Sequence, residues 1–126
     1  MNGQVICLLA CILLLVGQVL AVNPPTNFKV TDYTSTYAAF SWTASTGGTG
    51  TVTYTIVTTN TGAGTNPANY VSTGTGAFIT GLTPGINSYT FTITATDSLA
   101  TSSPATVNLI TRLFQLLKRI PPDAIL

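Results

Sequence analysis

The sequence predicts an all-β protein, a seven-stranded antiparallel β-sandwich, and three observations carry the prediction. Short runs of alternating apolar and hydroxylated residues recur from Asn23 to Thr111, with Gly, Pro and Asn clusters between them. No part of that span has a helical period. The polar positions are filled by Thr, Ser and Asn: 6% of the 126 residues are charged, against roughly 25% in ordinary globular chains, and the net charge is +1. Disordered chains pair low hydrophobicity with high net charge, and this one is 45% hydrophobic, so its low charge does not signal disorder.

Each element follows from its own residues. "TNFKVTD" is a first short strand, and Pro24-Pro25 bars pairing before it, with Phe28 its first inward position. "YAAFSW" turns Ala38, Phe40 and Trp42 to one side, and "STGGTG" is a turn. "TVTYTIVTT" places Val52, Tyr54 and Ile56 on one face. After the loop "NTGAGTNPAN", "YVST" reads as a short edge strand. "GAFITGL" presents Ala77 and Ile79, with Leu82 at the bend. From Ser88 to Thr96 the alternation is strict, with Tyr89, Phe91, Ile93 and Ala95 opposite Ser88, Thr90, Thr92, Thr94 and Thr96. "ATVNLIT" closes the set with Val107 and Leu109. An antiparallel sandwich buries one face of each sheet and wets the other, and Thr suits the wet face. The expected core is Phe40, Trp42, Tyr54, Ile56, Leu82, Tyr89, Phe91 and Ile93. Trp42 reads as a core anchor; the competing reading is a Trp presented to a ligand.

The chain ends differ in character. Residues 1–21 have an apolar run from Val5 to Val16 and end in Val19-Leu20-Ala21, the layout of a secretory signal peptide, although no Lys or Arg precedes the run. Cleavage after Ala21 would give a secreted, extracellular domain over 22–111. The rivals are an uncleaved signal anchor at the membrane, interrupted by Gly17 and Gln18, and a loose lipoprotein box at "LLAC". Both cysteines, Cys7 and Cys11, lie in that segment, so the cleaved chain has no disulfide and depends on its core. The tail, 112–126, begins "RLFQLLKRI". A helical wheel groups Leu113, Phe114, Leu116, Leu117 and Ile120 against Arg112, Gln115, Lys118 and Arg119. Nine residues need a surface to lie on, either a neighbouring domain or, in weak contact, a membrane. Pro121-Pro122 then repeats the Pro24-Pro25 pair, either as a stub of a second module or truncated tandem array, or as a chance recurrence after a helix, where Pro is common.

The inventory narrows function by chemistry. Between residues 22 and 111 the ionisable side chains are Lys29, Asp32, Asp97 and the tyrosines, with no His, Glu or Cys. General acid–base work and zinc ligation both lack their groups. Asp32 and Asp97 could pair as carboxylates, or hold calcium weakly with loop carbonyls, but each has a local explanation in its turn. The sequence therefore nominates no catalytic, cofactor-binding or metal residue, and no cofactor. Nucleic acid is excluded as a partner, since Lys29 is the only cation of the domain.

From Pro24 to Thr111 the chain resembles a fibronectin type III domain. The landmarks are the opening Pro-Pro, Trp42, Tyr54, and "ITGLTPG" at 79–85 leading to Tyr89. The resemblance implies an immunoglobulin-like sandwich of three and four strands without an inter-sheet disulfide. It also implies a corner in which the Tyr89 hydroxyl binds upstream backbone. Ile86, Asn87 and Ser88 stand where the family has two residues. The extra residue either bulges and keeps that bond or lengthens the turn and weakens it. By the same resemblance the chain is a secreted or cell-surface, non-catalytic interaction or adhesion module. The alternative is a structural spacer, or a fragment of a longer tandem-repeat extracellular protein. A protein or a glycan is the partner class. The family's Arg-Gly-Asp tripeptide is absent, and "DSLATSSP" between the last two strands has no aromatic or Arg anchor.

Overall fold

The computed structural model describes residues 21–62, 64–85, 88–110, 121 and 123. Seven strands form: β1 (Thr26–Tyr33), β2 (Tyr37–Thr43), β3 (Thr53–Asn60), β4 (Tyr70–Ser72), β5 (Gly76–Thr80), β6 (Tyr89–Thr96) and β7 (Ala105–Leu109). They pair antiparallel into a three-stranded sheet, β1-β2-β5, and a four-stranded sheet, β4-β3-β6-β7. The expected sandwich of three and four strands is what forms. Strand ends agree with the sequence reading within a residue or two, and Ser88 lies just before β6. The segments before Ala21 and across 112–120, with their expected leader and helix, lie outside the described residues.

All eight expected core residues are buried, and Val22, Ala38, Ala77, Ile79, Ala95 and Leu109 join them. Phe40 and Phe91 face each other across the sandwich with ring centroids 4.5 Å apart. Trp42 is 5% exposed and meets Tyr54 edge-on at 5.3 Å, so it is a core anchor and presents nothing to solvent. Phe28, half-buried, closes over the same cluster against Phe40 and Trp42.

Two features depart from simple alternation. In β1 the register to β2 shifts between Thr26 and Lys29 and again between Val30 and Asp32, with Asn27 at φ 52°. Such bulges bend an edge strand and strengthen its twist. In β3 the inward series continues past Ile56 to Thr58, which is 2% exposed and whose hydroxyl has no protein partner. A Thr signals the wet face in sequence, so this inward Thr was not legible there.

The corner is intact. Thr83 N–H donates to the Tyr89 hydroxyl oxygen at 2.7 Å, and the ring of Tyr89 is fully buried. The hydrogen bond is kept across the longer turn, whose residues 86 and 87 lie outside the described residues.

Candidate functional site

At one end of the sandwich Asp97, just past β6, ties two loops together. Its Oδ2 accepts from Thr49 N–H at 2.7 Å, and its Oδ1 accepts from Leu99 and Ala100 N–H at 2.9 and 2.7 Å. These bonds, Thr49 first, hold the carboxyl below the usual Asp range. The loop reaches Asp97 only because position 48 is Gly. A Cβ there would lie 2.5 Å from Oδ2, and φ is +76°. Both carboxylate oxygens accept backbone N–H groups, so this carboxylate is a structural clasp between the two loops.

The other Asp lies in a different place. Asp32 sits opposite Ala39 in the three-stranded sheet, towards the end of β2 away from the Asp97 loops. Its Oδ2 accepts from the Tyr37 hydroxyl at 2.8 Å, and its Oδ1 from Tyr33 N–H at 2.9 Å. That bond to Asp32, aided by burial and by the Asp32 charge, raises the Tyr37 phenol above its usual value. The structure does not bring Asp32 and Asp97 into a pair. Among the described residues no group of three or more His, Cys, Asp or Glu gathers as a metal would require.

Tyr37 opens onto the surface feature that the sequence reading missed. Its ring lies 4.8 Å from that of Phe78 at 33°, on the outer face of the three-stranded sheet. Phe78 is 56% exposed. Other large apolar side chains reach solvent, Val57, Val71, Leu99 and Ile110 among them, and scattered single residues of that kind are ordinary. Phe78 differs in being aromatic, in ring contact with Tyr37 and on the lip of a groove. That groove runs between β5 and the segment before β4, lined by Pro67, Ala68, Tyr70, Phe78 and Ile79 with Asn69 and Thr80. It holds about 240 Å³ and is open. Small-molecule sites are commonly about 300–1,000 Å³ and enclosed, so the shape suits an extended surface contact better. No charged side chain lines it.

Sequence reasoning missed this patch for a definite reason. In "GAFIT" it marked Ala77 and Ile79 as inward, which they are, and the alternation then sends Phe78 outward. An aromatic on the face that elsewhere carries Thr was the available signal.

A sandwich of three and four strands with a tyrosine corner defines the class: a modular, immunoglobulin-like β-sandwich. A family model described as Fibronectin type III domain matches residues 23–108, and the chain belongs to the fibronectin type III family. Solved structures agree in fold. Domains A168–A170 of titin match at 25% identity and TM-score 0.57, covering 71% of this chain and 32% of that one. Titin kinase with its flanking domains matches at 23% identity and TM-score 0.63, covering 79% and 19%. A computationally redesigned β-sandwich matches at 22% identity and TM-score 0.57, covering 71% and 89%. This chain thus spans a third or less of the two titin structures. No curated protein is similar enough in sequence to match.

Proposed function

We propose that the chain is a secreted, non-catalytic interaction module that meets its partner through the outer edge of β5. The observation that carries this reading is Phe78, 56% exposed and in tilted ring contact with Tyr37 at the lip of an uncharged groove. Exposed aromatics beside a shaped apolar surface are where binding energy concentrates. Secretion rests on the leader-like residues 1–21, and absence of catalysis on a domain whose two carboxylates are each committed to neighbours. The tail 112–120 adds a second, weaker contact to a neighbouring domain or a membrane surface.

A second reading is a structural spacer in a tandem array, favoured by the likeness to structures that carry several titin domains. The two separate on one comparison. Purified secreted chain and its Phe78→Ser variant are applied to cells and to arrays of extracellular proteins. Retention that disappears with Phe78→Ser, while the melting temperature holds, supports the module. Equal behaviour of the two proteins favours the spacer.

A further inference from the structure

A sandwich of this topology has four edge strands, and each is a template for another strand unless something blunts it. β1 is blunted by its two register shifts and by Lys29 and Asp32. β4 is only three residues long. β7 follows Pro104 and has β1 packed beside it. β5 has no bulge, and among the described residues its neighbour on the open side is the segment before β4, which stands off from it across the groove. Its register to β2 runs unbroken from Thr80 opposite Tyr37 to Gly76 opposite Ser41, and its five residues include no charge and no Pro.

The hydrogen-bond parity of β5 is fixed by the bond that follows it. Trp42 N–H donates to the Thr75 carbonyl, so Trp42 and Thr75 face each other as a bonded pair. Antiparallel pairs alternate, so Ala77 and Ile79 spend their backbone groups on β2. The N–H and C=O of Gly76, Phe78 and Thr80 then point away from β2, to the open edge. Related immunoglobulin sandwiches have a strand at this place, since their first sheet runs A-B-E-D with a fourth strand beyond E. Here, among the described residues, the three-stranded sheet stops at β5.

We infer that the strand completing this edge is β5 of a second copy of the chain, paired antiparallel about a two-fold axis at Phe78. The inference rests on the reading of the β5 edge as the contact surface. A two-fold interface must be self-complementary, and this sequence is. Centring on Phe78 sets Gly76 opposite Thr80 and Ala77 opposite Ile79 of the other copy, a smaller residue against a larger one on either side of the Phe78 pair. All three outward-facing residues then meet outward-facing residues, which gives three bonded pairs and about six main-chain hydrogen bonds. The two Phe78 side chains sit side by side at a bonded pair, with Cα atoms about 5.5 Å apart. With Tyr37 of each copy they extend one aromatic row across the joint. A net charge of +1 offers little repulsion between copies.

The test is the mass of the full secreted chain in solution, by light scattering or sedimentation, for wild type, Phe78→Lys, Phe78→Glu and an equal mixture of the two variants. Like charges facing each other across the axis repel, so each variant alone is expected to be monomeric, its dimer weakened by more than about tenfold. The wild type is expected to be dimeric, and the mixture to regain a dimer containing one chain of each kind. A monomeric wild type overturns the pairing, and if cell or array retention still depends on Phe78 the edge is a site for another protein. A wild-type dimer that survives in either variant, or that the mixture fails to restore, also overturns it, because the axis then lies elsewhere.

Discussion

Tyr89 shows how much a single residue fixes. Its ring is fully buried between the sheets, and its hydroxyl takes the Thr83 N–H of the preceding turn. Phe at this position keeps the ring and strands a backbone donor. Tyr89→Phe should destabilise by about 1–3 kcal/mol, read from denaturant midpoints with an unchanged slope. Thr58 offers the opposite sign. Its buried hydroxyl has no protein partner, and Val has nearly its shape. Thr58→Val should be neutral or stabilising by up to about 1 kcal/mol in the same measurement, because a desolvated hydroxyl gives nothing back.

Among the elements, the loops around Asp97 make a pH-dependent claim. Asp97 binds backbone from a loop 48 residues away as well as from its own turn, and its pKa is lowered. A carboxyl with a depressed folded-state pKa contributes stability that is complete above its unfolded value of about 3.9 and is lost as pH falls through the lowered one. Asp97→Asn, whose amide nitrogen cannot accept an N–H, should melt lower than wild type at neutral pH. The gap should narrow as the solution is taken into strong acid, where the wild-type carboxyl is itself protonated. A gap unchanged by acid would mean the clasp does not act through its charge. The strands themselves were nearly all legible, because period-two alternation is a local property and seven such runs fit one architecture. The clasp was not, since nothing in "DSLATSSP" points to Thr49. The bulges of β1 were equally hidden, being decisions of register between strands. On the outer face of β6 the hydroxyls noticed in sequence solvate the sheet and also bridge it: Thr90 donates to Asn108, and Thr96 pairs with Thr101.

For the whole molecule, the family and fold follow from the residues with little loss, while the contact surface needed the fold to be assembled first. Phe78 is one outward aromatic in a chain of many strands, and only the strand order shows that it stands on an edge strand. The central claim is that this edge receives the same strand from another copy. Amide hydrogen exchange of the purified chain, resolved by residue and repeated over a range of protein concentrations, tests it most directly. The amides of Ala77 and Ile79, bonded to β2, should exchange slowly at every concentration, whereas those of Gly76, Phe78 and Thr80 should exchange fast when dilute and slow as the protein is concentrated. Fast exchange at Gly76, Phe78 and Thr80 across the whole range would contradict the account.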